Sequence, residues 1–296
     1  MGDSTTDQPV QNIVGGADST RQADPSLSLI IPAYNEEIRI GSTVREAVAW
    51  LTSQPFATEL IVVDDGSDDA TADIAERVVG ELGRGRVLRI AHGGKAAAVR
   101  VGMLAASCEQ IAFSDADLAT PLPYLADLRA ALAAGCDIAI GSREGVRARR
   151  IGEPAYRHLM GRVFNGLVRL LLVPGVHDTQ CGFKLFRAEI ARDLLRRSRL
   201  YRDDRQIISG PRVTAFDVEL LTIARLNGYR ICPVPVVWSY GPGSKVRPAR
   251  DTWHNVRDVL DVWIAVKRGR YCDRSRGVDE SRSREEDGKT ARRPDG

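Results

Sequence analysis

Long hydrophobic runs are missing from this sequence. A helix that crosses a bilayer needs roughly 20 consecutive apolar residues, and the nearest candidate, residues 167–173, is far too short. Residues 1–26 are polar and lack the apolar core of a signal peptide. We therefore expect a protein that is soluble or bound to one face of a membrane, and that does not span it.

Cysteine is scarce, and neither sign of charge dominates. The cysteines are odd in number and scattered, with no Cys-x-x-Cys pair and no histidine at zinc-ligand spacing: Cys108, Cys136, Cys181, Cys232 and Cys272. This pattern favours a reducing cytoplasm. The net charge of +3 over 296 residues is too small to indicate a partner by itself.

Glycine-rich motifs that bind nucleotides are also missing. A dinucleotide-binding domain carries Gly-x-Gly-x-x-Gly after its first strand, whereas residues 32–36 here are Pro-Ala-Tyr-Asn-Glu. A nucleotidyltransferase should have a glycine-rich phosphate loop at that place, and the chain has no Walker-type loop. These absences argue against a dinucleotide-binding domain, a nucleotidyltransferase and a protein with a Walker-type phosphate loop.

Apolar segments of strand length alternate with helical segments in the first half of the chain. The predicted strands are 27–31, 59–63, 86–91, 110–114 and 136–140, and the predicted helices are 41–51, 70–82, 96–107 and 121–133. Later predicted elements are helix 156–173, strand 178–186, helices 188–196 and 214–226, strand 229–238 and helix 252–266, with a loop at 199–211. The alternation predicts an α/β fold with a mainly parallel sheet, whose ligands lie beyond the carboxyl ends of the strands.

The composition predicts one domain with flexible ends. With 43% hydrophobic residues, the chain can bury one large core. We expect a domain over 27–269, a disordered leader over 1–26 and a disordered, mixed-charge tail over 270–296.

Two aspartates follow the strand 110–114. Asp115 and Asp117 are separated only by the small Ala116, so both carboxylates can reach one hard cation such as Mg²⁺ or Mn²⁺. The alternative is a helix cap before Pro121, because Asp is favoured there and Pro can begin a helix. Loops with Tyr34, 64–65 and 93–95 fall at the same edge of the predicted sheet. A carboxylate-rich edge of this kind favours a metal-assisted nucleotide-sugar site.

Several ordered motifs resemble glycosyltransferase family 2, whose catalytic domain has the GT-A fold. The matching segments are 31–36 (IPAYNE), 62–67 (VVDDGS), 114–117 (SDAD), 141–143 (GSR), 178–186 (DTQCGFKLF) and 216–219 (FDVE). They look like the dolichyl-phosphate β-glucosyltransferase branch, next to the dolichyl-phosphate mannose synthases. The resemblance covers about 27–269. It implies an αβα sandwich and a metal-dependent hexosyltransferase.

The resemblance also implies a donor side of the site. The residues expected at the nucleotide sugar are Pro32, Ala33, Tyr34, Glu36, Asp64, Asp65, Lys95, Asp115, Ala116 and Lys245. Asp65, with Asp64, is expected at the base, and Asp115 and Asp117 at the ribose and the diphosphate-bound metal. Lys95 departs from the family pattern, because Ala96 stands where a glycine is usual. UDP-glucose is the favoured donor, and GDP-mannose stays possible.

An arginine-rich stretch marks the expected acceptor side. Seven arginines lie between 143 and 169, beside the amphipathic helix 156–173. Such a face can bind anionic lipid headgroups or an acceptor phosphate; a solvated helix face is the alternative, and nucleic acid is disfavoured because no reading module is present. By resemblance, Arg143 and Arg157 contact the acceptor phosphate. Helix 252–266 can pack on the core or lie on the membrane.

The leading hypothesis is therefore inverting transfer of a hexose to polyprenyl or dolichyl phosphate at the cytoplasmic, inner face of a membrane. The expected catalytic residues are Asp117, Asp217, Arg143 and Arg157. A phosphate acceptor needs no strong base, so Asp217 would orient the reactants; a sugar hydroxyl or another soluble acceptor would instead require Asp217 to take a proton. A non-catalytic nucleotide-sugar-binding subunit is the alternative outside the enzymes.

Overall fold

The computed structural model describes residues 24–200, 215–241 and 248–271. The strands are β1 (Leu27–Ala33), β2 (Thr58–Asp64), β3 (Arg86–Arg89), β4 (Gln110–Ser114), β5 (Ile138–Ser142), β6 (Arg149–Ile151), β7 (Phe183–Arg187), β8 (Ile231–Pro235) and β9 (Val237–Ser239). Seven of them form one sheet in the order β3-β2-β1-β4-β7-β5-β8, and β6 pairs with β9. Only β7 is antiparallel to its neighbours. The predicted α/β architecture with a mainly parallel sheet is confirmed.

Helices cover both faces of the sheet. They are α1 (Ile40–Thr52), α2 (Thr71–Leu82), α3 (Lys95–Ala105), α4 (Tyr124–Ala133), α5 (Ala155–Leu171), α6 (Ala188–Arg197), α7 (Phe216–Leu226) and α8 (Pro248–Lys267). Alternate residues of β1 point to opposite faces: Leu29 and Ile31 pack with α1, α2 and α4, whereas Ile30 packs with the core of α3, α6 and α7. Every residue of β1 is buried, as expected for a central parallel strand.

The sheet brings four strand ends together. β1, β2, β4 and β5 run in the same direction, so their carboxyl ends lie at one edge, which we call the carboxyl edge. Because β7 runs the opposite way, its first residue, Phe183, lies opposite Ser114 at this same edge. The loop before β7 therefore joins the loops that follow the parallel strands.

Two predicted strands differ from the structure. The predicted strand 178–186 begins only at Phe183, because Asp178 and Thr179 form hydrogen bonds with side chains outside the sheet. The predicted strand 229–238 is divided into β8 and β9, and β9 pairs with β6, which the sequence pattern does not predict. Val236 marks the division, where its N–H donates to the Ser142 carbonyl at 3.0 Å.

The structure contains a disulfide, although the pattern of cysteines in the sequence predicts a reducing cytoplasm. Cys136 and Cys232 are bonded, with their Cα atoms 6.1 Å apart. They meet because β5 and β8 are neighbours, with Ala139 opposite Cys232, although 96 residues separate the two cysteines. The sequence spacing does not reveal this proximity, so the cysteine pattern gives no argument for a reducing compartment.

Within the described ranges, none of the helices has the length and apolar character needed to cross a bilayer. Residues 1–23, 201–214, 242–247 and 272–296 lie outside the described residues. The predicted leader and tail, and the predicted loop 199–211, fall largely in these segments, and the domain limits 27–269 stay a prediction. α8 packs Val259 and Val262 on the core.

Candidate functional site

Asp65 holds the turn that begins α3. Its carboxylate accepts hydrogen bonds from the N–H groups of Gly93 and Gly94, both at 2.9 Å, and lies 2.8 Å from His92 Nδ1. The side chain is buried, and burial raises its pKa although these hydrogen bonds oppose the rise. The resemblance assigns Asp65 to the base, but in the structure both of its carboxylate oxygens are engaged by the turn. Asp65 thereby shapes the loop that presents Lys95.

Tyr34 and Asp64 lie beside this turn. The Tyr34 ring stacks on His92, with the ring centroids 4.0 Å apart. Asp64 is buried; one carboxylate oxygen accepts a hydrogen bond from the Ser67 N–H at 3.2 Å, and Oδ1 has no hydrogen-bond partner within the described part of the chain. A buried oxygen without a partner is costly. Asp64 Oδ1 is therefore an acceptor suited to an N–H group of a ligand.

Pro32, Ala33 and Glu36 occupy the end of β1 and the loop after it. Pro32 and Ala33 are buried as the last two residues of the strand. The Glu36 N–H donates to the Thr71 hydroxyl at 2.6 Å, and its carboxylate pairs with Arg39 at 2.9 Å. These contacts fix the β1 loop against the start of α2, at the carboxyl edge.

Asp115 and Asp117 lie in a tight turn directly after β4. The Leu118 N–H donates to the Asp115 carbonyl at 3.1 Å, and Leu118 has a φ of 45°, which is rare for a bulky residue. The Thr43 hydroxyl donates to the Ala116 carbonyl at 2.6 Å and anchors the turn to α1. Burial, and then the charge of Asp115, raise the pKa of Asp117. The turn holds two like charges close together, so it favours a cation nearby.

Lys95 supplies positive charge to these carboxylates. Its ammonium group forms an ion pair with Asp115. Burial opposes the charge of Lys95, but the carboxylates of Asp115, Asp217 and Asp117 outweigh this effect and raise its pKa. A Cβ atom at Gly182 would overlap the carboxylate of Asp115, so only glycine leaves room for that side chain. We call Asp115, Asp117 and Asp217 the acidic cluster.

Two carboxylates of the acidic cluster, those of Asp115 and Asp117, fit a hard divalent cation. Mg²⁺ and Mn²⁺ prefer oxygen ligands and often keep ligands from a substrate phosphate or from water. No group of three or more His, Cys, Asp or Glu side chains could hold a metal within the described residues. Asp115 and Asp117 would therefore supply two carboxylates, and a diphosphate and water the remaining ligands. The observation in favour of this fit is that one tight turn, closed by the hydrogen bond from Leu118 to Asp115, carries both carboxylates.

Arg143 is held by a carboxylate that the sequence reasoning did not single out. Its backbone N–H, Nε and Nη2 donate to Asp178 at 2.9, 2.7 and 2.8 Å. Burial opposes ionisation of Asp178, but the charge and hydrogen bonds of Arg143 hold its pKa at about 2. The guanidinium also lies 5.3 Å from the centre of the Trp238 ring, within the range of a cation–π contact.

Asp217 lies in the first turn of α7 and pairs with a buried lysine. Its Oδ1 is 3.2 Å from Lys184 Nζ. Lys184 is on β7 and also donates to the Cys181 carbonyl oxygen. Its place in the first turn of α7 also stabilises the carboxylate, because the N-terminal end of a helix favours negative charge.

Strand β9 and the residue after it form hydrogen bonds with two different loops of the site. The Ser239 N–H donates at 2.8 Å to the carbonyl of Ala119, two residues after Asp117. The next residue, Tyr240, donates at 2.8 Å to the carbonyl of Ile151 in β6, beyond the Arg143 loop. Residues 239–240 thus form hydrogen bonds with the loop that carries the aspartate pair and with the end of the loop 143–152, which we call the arginine-rich loop.

Helix α5 has an exposed apolar face. Phe164 and Val168 face the core. The exposed apolar side chains on the opposite side are Tyr156, Leu159, Val163 and Leu170. Asn165 anchors the helix, since its Oδ1 accepts from the Thr179 hydroxyl at 3.0 Å, next to Asp178. The arginine-rich stretch contributes exposed Arg147, Arg149 and Arg162 nearby in the sequence.

Most predicted site residues thus meet at the carboxyl edge. Those brought there are Pro32, Ala33, Tyr34, Glu36, Asp64, Asp65, Lys95, Asp115, Ala116, Asp117, Arg143 and Asp217. Arg157 lies on α5, but its side chain is outside the described residues, as is the whole of Lys245. The sequence reasoning missed Asp178, Gly182 and Lys184 as individual residues. A lysine within the apolar run FKLF was the one local signal that could have marked Lys184.

Comparison with known proteins gives consistent matches. A sequence model described as Glycosyl transferase family 2 matches residues 28–195. A dolichyl-phosphate beta-glucosyltransferase of Drosophila melanogaster is 37% identical over 253 residues, which is 80% of this chain and 74% of the relative. The Homo sapiens protein of the same name is 35% identical over 260 residues, 83% of this chain and 77% of the relative.

Solved structures show the same architecture. Glucosyl-3-phosphoglycerate synthase from Mycobacterium tuberculosis, in complex with Mn²⁺, UDP and glucosyl-3-phosphoglycerate, has a TM-score of 0.56 and 20% identity. The match covers 81% of this chain and 79% of that chain. At this identity the likeness concerns the fold alone, and it confirms the predicted GT-A fold.

Proposed function

Because the chain belongs to glycosyltransferase family 2, we propose that it transfers glucose from UDP-glucose, with inversion, to a polyprenyl or dolichyl phosphate at the inner face of a membrane. The names of the relatives support this reading. The main structural observation in its favour is that a charged surface and an apolar surface are connected. The charged carboxyl edge, with Arg143 and the acidic cluster, is joined through Asn165 to the exposed apolar face of α5. A lipid phosphate needs both kinds of surface at once.

Asp64 supports UDP as the donor. Its Oδ1 is buried and lacks a partner within the described residues. Uracil offers one ring N–H, which matches one unpaired oxygen, whereas guanine offers an N–H and an amino group side by side. GDP-mannose therefore stays the second candidate. Asp65 would affect base binding indirectly, because it fixes the conformation of the turn 92–94.

Lys95 begins α3 and can exchange its partner Asp115 for a phosphate oxygen of the donor, as a cation at a diphosphate does. Asp115 and Asp117 would hold Mg²⁺ or Mn²⁺, whose positive charge would stabilise the leaving diphosphate. Gly182 leaves space for the Asp115 carboxylate in this arrangement.

The acceptor phosphate would attack C1 of glucose on the side opposite the diphosphate. The bond from C1 to the diphosphate oxygen breaks, UDP leaves, and the configuration at C1 is inverted. A phosphate monoester has a second pKa of about 6, so it is already a nucleophile near neutral pH and needs no strong base. Asp178 occupies Nε and Nη2 of Arg143, and Nη1 can therefore bind a phosphate oxygen while the pair fixes the guanidinium plane.

The test is a transfer assay with purified protein, Mg²⁺ or Mn²⁺ and polyprenyl phosphate. We expect label to enter the organic phase from radiolabelled UDP-glucose and not from GDP-mannose. Asp117→Ala should abolish transfer without unfolding the protein, and Asp127→Asn, on the exposed face of α4, serves as the control with wild-type rate. Transfer only to soluble acceptors, with none to polyprenyl phosphate, would refute the proposed acceptor.

Asp217 distinguishes a phosphate acceptor from a hydroxyl acceptor. If the nucleophile is a phosphate, Asp217→Asn should lower the rate by only about 10- to 100-fold, because the side chain orients the reactants and takes no proton. A loss of several orders of magnitude in a folded variant that still binds UDP-glucose would instead favour a hydroxyl acceptor.

The apolar face of α5 supports a membrane surface as partner. Leu170 is 82% exposed and Val163 is 68% exposed, and Arg162 lies next to Val163 in the sequence. An apolar face flanked by arginine is typical of helices that lie in the headgroup region of anionic lipids. We expect Val163→Glu and Leu170→Glu to weaken sedimentation with phosphatidylglycerol vesicles. Leu104→Glu, at an exposed position on α3, should leave it unchanged, and equal binding by all variants would contradict this role.

A further inference from the structure

Lys184 is a buried cation with no part in the chemistry proposed above. Its side chain is 1% exposed. Its partners in the sheet register are the buried apolar residues Phe113 of β4 and Ile140 of β5. Lysine is almost never fully buried unless it is paired, because removing a charge from water is costly. An apolar side chain would pack equally well here, so packing alone does not explain a lysine.

The ammonium group of Lys184 contacts two elements that carry residues of the carboxyl edge. Lys184 Nζ donates to the Cys181 carbonyl, lies 3.2 Å from Asp217 Oδ1 and lies 5.4 Å from the centre of the Phe113 ring. The Cys181 carbonyl is in the loop directly before Gly182, on which the Asp115 carboxylate rests. Lys184 therefore connects the loop before β7 with the first turn of α7, and both carry parts of the site.

Asp217 needs a fixed partner if it is to act at the carboxyl edge. Its side chain is 13% exposed, so it lies at the border between the interior and the edge. Its charge also acts on Lys95, together with those of Asp115 and Asp117. Without an ammonium group beneath it, the carboxylate could rotate toward water or toward Lys95, and it would no longer hold one orientation relative to the reacting groups.

We propose that Lys184 is a positioning residue that acts on sugar transfer through Asp217. The ammonium group fixes the orientation of the Asp217 carboxylate, while its bond to the Cys181 carbonyl keeps the two elements at constant separation. This inference rests on the proposed function, because the effect is measured as a rate of sugar transfer. It assigns a role to a buried residue that touches neither donor nor acceptor.

A double-mutant cycle tests the proposal in the full-length chain. Lys184→Met keeps an unbranched side chain, one atom shorter than that of lysine, and removes its charge. We expect Lys184→Met to lower kcat by about 10-fold or more, as misplaced catalytic groups do, with KM for UDP-glucose within about twofold of wild type. If Lys184 acts through Asp217, the variant with both Lys184→Met and Asp217→Asn should be no slower than Asp217→Asn alone. Losses that multiply in the double variant would overturn the proposal, as would a raised KM with unchanged kcat.

The control separates orientation from stability. Ile61→Val removes one methyl group from the buried core; it should lower the melting temperature and leave kcat and KM unchanged. If Lys184→Met does not fold, the pair can be examined in the wild-type chain by ¹H–¹⁵N NMR of lysine ammonium groups. A protected Lys184 signal that Asp217→Asn abolishes supports the pairing, and an unchanged signal overturns it. This readout needs no transfer activity, so it distinguishes failure of the inference from failure of the proposed function.

Discussion

The ion pair between Arg143 and Asp178 predicts a specific loss of stability in acid. Asp178 is 1% exposed and accepts three hydrogen bonds from Arg143. Its pKa is about 2 in the folded protein, against about 3.9 in an unfolded chain. The difference corresponds to about 2–3 kcal/mol of folding free energy. Because the folded pKa is the lower one, this contribution is complete above pH 4 and declines as the pH falls from about 4 to about 2.

The perturbation is Asp178→Asn, followed by urea unfolding at several pH values. At pH 7 the variant should be less stable by about 3–5 kcal/mol, because Arg143 is left without its counter-charge. Between pH 5 and pH 3, wild type should lose about 1 kcal/mol more than the variant, which is roughly half of the contribution of this carboxyl group. The matched control Asp127→Asn removes an exposed carboxylate and should keep the wild-type slope. Parallel pH dependence of wild type and Asp178→Asn would refute the reasoning.

Three further predictions concern other features of the fold. Gly182→Ala should reduce transfer by about 100-fold or more with little change in melting temperature, because the new Cβ displaces the Asp115 carboxylate; a wild-type rate would contradict this. Leu118→Gly should unfold at a higher urea concentration than Leu118→Ala, the reverse of the usual order, because a φ of 45° suits glycine. Cys232→Ser should cost about 2–4 kcal/mol in urea unfolding by removing the disulfide to Cys136; dithiothreitol should lower the stability of wild type to the same level and leave the variant unchanged.

The parts of the fold that depend on local pattern could be predicted from the sequence. Strand β4 has the predicted limits 110–114, and the strand–helix alternation up to β5 appears as expected, with no end shifted by more than three residues. The aspartates at 64–65 and 115–117 reach one edge because parallel strands end there. This much follows from hydrophobic periodicity and from the rules of βαβ units.

Features that depend on long-range pairing could not be predicted. β7 inserts antiparallel between β4 and β5, and this brings Asp178 to Arg143, which precedes it by 35 residues. In the same strand order β8 lies beside β5, and this pairing allows the disulfide. The hydrogen bonds that Asp65 accepts from Gly93 and Gly94 also join residues that are 28 and 29 positions apart, and the assignment of Asp65 to the base stays a prediction. Neither periodicity nor motif spacing contains that information.

The bonds of β9 to both loops limit how this enzyme can be redesigned. A change of acceptor would ordinarily be attempted by exchanging the arginine-rich loop 143–152 with that of a relative. Here Tyr240 bonds to Ile151, and its neighbour Ser239 bonds to Ala119. A loop taken from a relative would therefore have to pair with β9 of this chain, which also supports the turn at Asp117. The smallest exchangeable unit is therefore the loop 143–152 together with residues 237–240, and donor and acceptor preferences should change jointly when only one of the two pieces is replaced.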